Sequence, residues 1–112
     1  MTQEEKQFLF RDLCARLPYG LIVQETFQNV QRDVPAWDCG PHYIKDNLEK
    51  VKPYLRLMSS MTEEEKCEFN SYYNMFNNDP VGLIDWLNAH HFDYRRLIEK
   101  GFALEAPKDM YK

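Results

Sequence analysis

The residues of this chain best suited to chemistry are one cysteine and three histidines. Cys39 and His42 stand three positions apart in the segment Cys-Gly-Pro-His, and Asp38 precedes them. A thiol enzyme needs a histidine to activate its cysteine and a third group to orient the imidazole. One interpretation is therefore a small thiol-dependent enzyme that uses Cys39 and His42, with His90 or His91.

The same side chains are also possible metal ligands, but they form an incomplete set. A zinc site needs four donors that converge on the ion at about 2.0–2.3 Å. The chain has no second paired-cysteine motif, and adjacent helical residues such as His90 and His91 point about 100° apart. We therefore expect no metal, no cofactor and no catalytic site, and keep a metal-dependent module as the alternative.

The charge of the chain limits its partners. Asp and Glu outnumber Lys and Arg by 18 to 14, which gives a net charge of −4. Nucleic-acid binding depends on a basic surface that neutralises phosphates, so we expect no nucleic-acid partner. The acidic surplus leaves a third interpretation open, in which the protein imitates nucleic acid and occupies a basic groove of another protein.

Hydropathy and cysteine usage indicate the compartment. No stretch approaches the ~20 apolar residues that span a bilayer, and the acidic, polar N-terminus is unlike a signal peptide. The three cysteines, Cys14, Cys39 and Cys67, are odd in number and far apart, which favours reduced thiols. We therefore expect a cytoplasmic protein that makes no membrane contact.

Two capping boxes mark the starts of helices. Thr2 and Glu5 have the required spacing, as do Thr62 and Glu65, so each pair can satisfy two free backbone N–H groups. The segment Pro18-Tyr19-Gly20 ends the first helix, because proline lacks an N–H and glycine permits a positive φ.

The region between these helices predicts strands and one further helix. Leu21-Ile22-Val23 is a β-favouring run, and residues 27–34 are predicted to pair with it as a second strand. Apolar residues along one face of 41–51 predict a short helix, which Pro53 limits.

The second half of the chain has stronger helical signals. Asp79 can cap a helix that begins at Pro80 and contains Trp86, which we expect to be buried. Ahead of it, an aromatic stripe at helical spacing is predicted to join the core; it consists of Phe69, Tyr72, Tyr73 and Phe76.

A last helix is predicted to start at Asp93. Phe92 can pack on Leu97 across the first turn, and Gly101 stands where a left-handed residue would end the helix. Residues 105–112 are predicted to form a loosely ordered tail. The whole pattern predicts a single α+β domain, predominantly helical, with four to five short helices and a small β-hairpin near residues 20–34.

Three segments resemble a group of small uncharacterised proteins from gut bacteria and their phages or mobile elements. They are Asp12-Leu-Cys-Ala-Arg-Leu-Pro-Tyr-Gly20, Lys52-Pro-Tyr-Leu-Arg-Leu-Met-Ser-Ser-Met-Thr-Glu-Glu-Glu65 and Asp85-Trp-Leu-Asn-Ala-His-His-Phe-Asp-Tyr-Arg-Arg-Leu-Ile-Glu-Lys-Gly-Phe-Ala-Leu-Glu-Ala-Pro107. Together they cover under half of the chain. The resemblance implies a mobile-element setting and assigns no activity or functional residue. Residues 24–50 depart from the pattern, as do Leu57, where proline is expected, and Arg96, where glycine is expected.

The preferred function follows from these absences and from one loop region. Phe27, Val34 and Trp37 are apolar residues among polar neighbours, in a stretch with weak periodicity and turn residues. Loops on a rigid scaffold often bind partners, and exposed aromatics dominate many interfaces. We therefore expect a non-catalytic protein-interaction module, an adaptor or an inhibitor of a host protein, with Trp37 as its anchor.

Overall fold

The computed structural model describes residues 1–72 and 79–111, which contain five α-helices and four strands. In chain order they are α1 (Gln3–Arg16), β1 (Ile22–Phe27), β2 (Val30–Pro35), α2 (Ala36–Cys39), α3 (Pro41–Asp46), β3 (Val51–Leu55), α4 (Glu63–Ser71), α5 (Pro80–Ala89) and β4 (Leu104–Glu105). The predicted α+β class with a majority of helix is confirmed. None of the helices in these described ranges is long and apolar enough to cross a membrane.

Both predicted capping boxes are present. The Thr2 hydroxyl accepts the Glu5 N–H at 3.1 Å, and the Glu5 carboxylate accepts the Thr2 N–H at 2.7 Å. Thr62 and Glu65 repeat this exchange at 3.2 and 2.9 Å at the start of α4. These bonds satisfy N–H groups that have no partner inside the helix, which explains why both helices begin where the spacing predicted.

β1 and β2 form a hairpin in the predicted region, but the second strand predicted at residues 27–34 begins only at Val30, because Phe27 ends β1. Their register runs from Ile22 opposite Pro35 at the base to Phe27 opposite Val30 at the tip. Residues 28–29 between the strands have φ values of 50° and 63°, as a two-residue turn of the tight hairpin type requires. The turn therefore fixes which residues of the two strands face each other.

The hairpin belongs to a four-stranded sheet with the order β2-β1-β3-β4. β3 pairs antiparallel with β1, and β4 pairs parallel with β3. The helix predicted over residues 41–51 ends at Asp46, so that prediction is wrong for residues 47–51, the last of which begins β3. Pairing with two neighbouring strands and burial of Val51, Tyr54 and Leu55 outweigh the local helical spacing, and Pro53 lies inside a strand.

Two apolar clusters form the core of the described residues. The larger one packs side chains of α1 and α3 against the sheet. The smaller one is centred on α5 and consists of Leu83, Trp86, Leu87 and Phe92, with Phe69 and Tyr72 packed against it. The predicted core positions of Trp86, Phe69 and Tyr72 are confirmed, whereas Tyr73 and Phe76 lie outside the described residues.

The helix predicted to start at Asp93 is wrong, because residues 93–103 form turns. The Asp93 carboxylate accepts the N–H groups of Leu97 and Ile98 at 2.9 and 3.0 Å, four and five positions onward instead of two or three. Arg96 has a φ of 59°, which takes the backbone out of the helical conformation between the cap and the first turn. This is the position at which the resemblance leads one to expect glycine.

The predicted helix ending at Gly101 is nevertheless present after a single turn. Gly101 has a φ of 80° and its N–H donates to the Ile98 carbonyl at 3.1 Å. The Phe102 N–H donates to the Leu97 carbonyl at 2.9 Å, which completes the pair of bonds that defines a Schellman motif.

Replacing Gly101 with alanine should destabilise the domain by about 1 kcal/mol, because an L side chain is strained at this φ. A Cβ at Gly101 would meet no atom within 4 Å, so the loss would come from the backbone alone. Chemical denaturation measures it, with Lys100→Ala as the exposed neighbouring control that should change little. An unchanged or higher stability of Gly101→Ala would rule out this ending.

The last described residues run back along the sheet. The Ala106 N–H donates to the Leu55 carbonyl at 2.7 Å, just after β4. The Tyr111 hydroxyl accepts the Ile22 N–H at 2.9 Å and donates to the Tyr54 carbonyl at 2.8 Å. These bonds attach the segment after β4, where loose order was predicted, to both β1 and β3.

Candidate functional site

Three large apolar side chains on and beside the hairpin are exposed. Phe27 is 56% exposed, Val30 63% and Trp37 72%, and we call these three residues the hairpin surface. The exposure expected for Trp37 is confirmed. Val34, the third predicted contact residue, packs against the larger core cluster instead, because it lies opposite the fully buried Val23. Val34 is therefore a core contact and not part of the hairpin surface.

Val30 takes the place in the surface that was predicted for Val34. The prediction missed it because residues 27–34 resembled one continuous strand. The available signal was the Gln-Asn pair at 28–29, since Asn tolerates the positive φ of a two-residue turn. Such a turn places Phe27 and Val30 directly opposite each other at the exposed tip.

A polar contact holds α2 against the hairpin. Glu25 of β1, which is 6% exposed, accepts hydrogen bonds from Arg32 Nη2 at 3.1 Å and from Cys39 Sγ at 3.2 Å. At the other end of α2, Ala36 is fully buried and its N–H donates to the carbonyl that precedes β1 at 2.8 Å. Trp37 thus projects from a helical turn that is attached at both ends.

The surroundings of Cys39 favour a protonated thiol. Burial, followed by the hydrogen bond to Glu25, raises the pKa of Cys39 to about 11. A nucleophilic cysteine requires the opposite, because the thiolate is the reactive form. The thiol donates to a carboxylate, while His42 lies exposed on α3. These contacts do not favour Cys39 as a nucleophile.

Cys39 should react slowly with alkylating reagents. A pKa of about 11 instead of 9.0 leaves roughly 100-fold less thiolate at pH 8, and iodoacetamide should modify Cys39 slower by about that factor than an ordinary thiol. Mass spectrometry of the peptide around residue 39 measures the rate. Glu25→Gln should accelerate the reaction, because it removes the carboxylate charge beside the sulfur. A wild-type rate equal to that of a free cysteine would contradict this environment.

The two histidines at the end of α5 have different partners. His90 Nδ1 lies 3.5 Å from the Glu65 carboxylate, and the His90 ring centre lies 4.4 Å from that of Trp86. His91 is 4% exposed and stacks on Tyr111 at 3.8 Å between ring centres. Within residues 1–72 and 79–111, no group of three or more His, Cys, Asp or Glu side chains is placed to hold a metal ion.

His91 has a structural position. It closes α5 with a φ of 61°, and its N–H donates to the Asn88 carbonyl at 3.1 Å. Burial, and next the positive charge of Arg16, lower the pKa of His91 to about 4, so the ring is neutral at physiological pH. Its Nδ1 has no hydrogen-bond partner among the residues that the structure describes.

A groove of about 640 Å³ lies between α4 and the segment that follows β4. On its wall, Arg56 donates two hydrogen bonds of 2.7 Å to the Glu65 carboxylate, which lower the pKa of Glu65 to about 2. The Arg56 guanidinium also lies 4.3 Å from the centre of the Phe92 ring. The groove was not predicted from the sequence, because Glu65 was interpreted only as part of the capping box.

The groove has an acidic lining, which bears on the idea of a nucleic-acid mimic. Its carboxylates are those of Glu64, Glu65, Glu68, Glu105 and Asp109. Among them, Glu65 accepts hydrogen bonds from Arg56, and Glu68 accepts one from Trp86 Nε1 at 2.7 Å. A mimic of the phosphate backbone would present its carboxylates outward in a stripe. These residues line a concave surface, so the groove does not favour that interpretation.

Comparisons with known proteins give no information about the function of this chain. No family model, no curated protein and no solved structure matched the chain. The resemblance to small proteins of gut bacteria and their mobile elements therefore stays a prediction. The features on which a functional proposal can rest are the hairpin surface and the contacts that support it.

Proposed function

We propose that this protein is a non-catalytic protein-interaction module that binds its partner through the hairpin surface. The observation that carries the proposal is the exposure of Phe27, Val30 and Trp37 on a single hairpin and the helical turn after it. Aromatic side chains are enriched at protein interfaces, and a few of them supply most of the binding energy.

The support of the surface strengthens the proposal. All six residue pairs of the hairpin are in register, and Glu25 connects β1 to both Arg32 and Cys39. A surface that is already ordered loses little conformational entropy when a partner binds. Trp37 and Phe27 are therefore available as rigid anchors.

We further propose that the partner is a protein and that the two proteins meet in the cytoplasm. A net charge of −4 favours a protein partner over nucleic acid. Three free cysteines fit a reducing environment, so we place the interaction in the cytoplasm. The resemblance to mobile-element proteins suggests an adaptor or an inhibitor of a host protein.

The test compares variants in affinity capture from the cells that produce the protein, followed by quantitative mass spectrometry and titration of the captured partner. Trp37→Ala should weaken binding by roughly 30-fold, which corresponds to about 2 kcal/mol. Phe27→Ser should weaken the same interaction. The matched control is Val81→Ser, since Val81 is 70% exposed on α5.

The melting temperatures of these variants should stay close to that of the wild type, because the replaced side chains are exposed. A partner that binds Trp37→Ala and Phe27→Ser with unchanged affinity would place the binding surface elsewhere.

A further inference from the structure

The outer edge of β2 carries unpaired backbone groups. β2 is the first strand of the sheet, and no strand of the described residues lies on its other side. Across a two-residue turn, Phe27 and Val30 exchange hydrogen bonds, and every second pair from there does the same. The bond from the Ala36 N–H to the Leu21 carbonyl, at 2.8 Å, follows that alternation. The N–H and C=O groups of Gln31 and Asp33 therefore point away from β1.

We propose that this edge receives an extended segment of the partner polypeptide as an added antiparallel strand. The proposal rests on the protein-binding function inferred above and specifies its partner. The two ends of β2 carry the anchors of the hairpin surface, with Val30 at the tip and Trp37 two residues beyond Pro35. A strand added between them would gain backbone hydrogen bonds along β2 and apolar contacts at both ends.

The charges on β2 specify which strand fits. The Arg32 side chain is 63% exposed; it uses Nε and Nη2 for Glu25, and its Nη1 has no hydrogen-bond partner in the described ranges. Asp33 accepts the Tyr54 hydroxyl at 2.7 Å on Oδ1, and its Oδ2 has no bond to the described residues. The preferred partner strand therefore presents a carboxylate opposite Arg32 and a cationic side chain opposite Asp33.

The same charges disfavour a second copy of this chain. Two β2 strands can pair antiparallel with long overlap in two registers. One places Arg32 opposite Arg32 of the second copy, and the other places Asp33 opposite Asp33 of that copy. Like charges directly opposite each other destabilise a strand pair. The edge is thus suited to a different polypeptide.

β1 provides a template for the probe. Residues 23–27, Val-Gln-Glu-Thr-Phe, pair with β2 from the other side and place Glu25 opposite Arg32. A blocked peptide containing Val-Lys-Glu-Thr-Phe would repeat this pattern and add a lysine opposite Asp33. The control peptide, Val-Glu-Lys-Thr-Phe, exchanges the two charges.

Amide hydrogen exchange followed by NMR gives the readout. In the free protein the Gln31 and Asp33 amides should exchange fast, whereas those of Arg32 and Val34 should be protected by β1. Millimolar Val-Lys-Glu-Thr-Phe peptide should slow exchange at Gln31 and Asp33 by about tenfold or more, and the charge-exchanged peptide should have a much smaller effect. Equal effects of both peptides, or no slowing with either, would overturn the proposal.

A proline variant distinguishes the added strand at the β2 edge from the more general proposal that the hairpin surface binds a partner. Gln31→Pro removes an outward N–H without removing a bond to β1, so the hairpin should persist, as its melting temperature and the Arg32 protection can show. It should abolish the slowing at Asp33 and weaken capture of the partner at least tenfold, while Gln31→Ala should not. If Gln31→Pro binds the partner normally and Trp37→Ala does not, the added strand is refuted and the hairpin surface stands.

Discussion

Replacing Arg16 with methionine should lower the free energy of unfolding by about 3–5 kcal/mol, the loss typical of breaking a buried ion pair. Arg16 and Asp12 are both fully buried on α1. Arg16 donates to the Asp12 carboxylate from Nε at 2.9 Å and to the Phe92 carbonyl from Nη2 at 2.7 Å. Without Arg16, the buried Asp12 carboxylate keeps only the Arg95 guanidinium, 3.6 Å away, and the buried Phe92 carbonyl loses this donor. A domain with a total stability of about 5–15 kcal/mol then comes close to unfolding.

Arg16 also connects the two core clusters. Its backbone belongs to α1, which packs against the sheet, while Phe92 belongs to the cluster around α5. The Arg16 guanidinium lies 5.2 Å from the centre of the Tyr94 ring, which packs against that second cluster. The loss should therefore appear as a cooperative decrease in stability across the whole domain, measurable by chemical denaturation.

Two controls identify the mechanism. The double variant Asp12→Leu/Arg16→Met removes both buried charges and should be more stable than Arg16→Met, because no buried carboxylate remains and Arg95, which loses its contact with Asp12, is partly exposed to water. Lys66→Met breaks an exposed pair of 3.4 Å with Glu63 and should change the free energy of unfolding by well under 1 kcal/mol. If Arg16→Met were as mild as Lys66→Met, the buried pair would not hold the two clusters together.

The second large effect is a loss of stability in acid caused by His91. Its pKa is about 4 in the folded protein and 6.5 as the reference value for the unfolded chain. Between these values the unfolded chain binds a proton that the folded protein does not, so stability falls as the pH decreases. His91 does not reduce the free energy of unfolding above pH 6.5. As the pH falls from 6.5 toward 4, the free energy of unfolding decreases progressively, by a total on the order of 3 kcal/mol.

The variant His91→Asn tests this contribution. Asn tolerates the positive φ at this position and does not titrate. It should lower stability at neutral pH, since the stacking on Tyr111 is lost, but its stability should depend less on pH between 6.5 and 4 than that of the wild type. His42→Asn makes the same replacement at an exposed site and serves as the control. Parallel pH profiles of His91→Asn and the wild type would show that His91 does not titrate with a lowered pKa.

The sequence was sufficient where neighbouring residues decide the structure. The capping boxes at Thr2 and Thr62 join atoms three residues apart, so local spacing contains the information. The turn from Phe27 to Val30 is equally local, but residues 27–34 were predicted as one strand and the turn was missed. β3 is different, because its pairing brings Pro53 beside Val23, 30 residues earlier. That partner cannot be found from local periodicity, which favoured a helix as far as Val51.

In the region after α5, tertiary contacts prevent the helix that the local sequence pattern predicted. Gly101 has the predicted left-handed ending, and the Asp93 carboxylate accepts N–H groups of a turn instead of capping a helix, so no helix connects the two residues. The Asp93 N–H donates to the Arg56 carbonyl at 2.8 Å, and the Arg56 N–H donates to the His91 carbonyl at 2.7 Å. These bonds attach the backbone around Asp93 to the end of β3, and Arg96 turns out of the helical conformation.

The candidate site was predicted only in part, because some of its features depend on local sequence and others on contacts between distant residues. Trp37 lies among turn residues, and its exposure follows from that setting. The role of Val30 instead of Val34 depends on the hairpin register, and the burial of Arg16 depends on packing between distant elements. Asp12 and Arg16 have the same four-residue spacing as an exposed helical pair, so the sequence alone does not distinguish the two cases.

Site-specific photo-crosslinking tests the central claim, that the hairpin surface binds another protein, most directly. A photoreactive residue would replace Trp37, Val30 or Val81 in separate variants expressed in the cells that produce the protein. We predict that the Trp37 and Val30 variants crosslink to the same protein, at peptides of that protein close to each other, and that the Val81 variant does not. Crosslinks to that protein from Val81 alone, or to unrelated proteins from all three positions, would contradict the account.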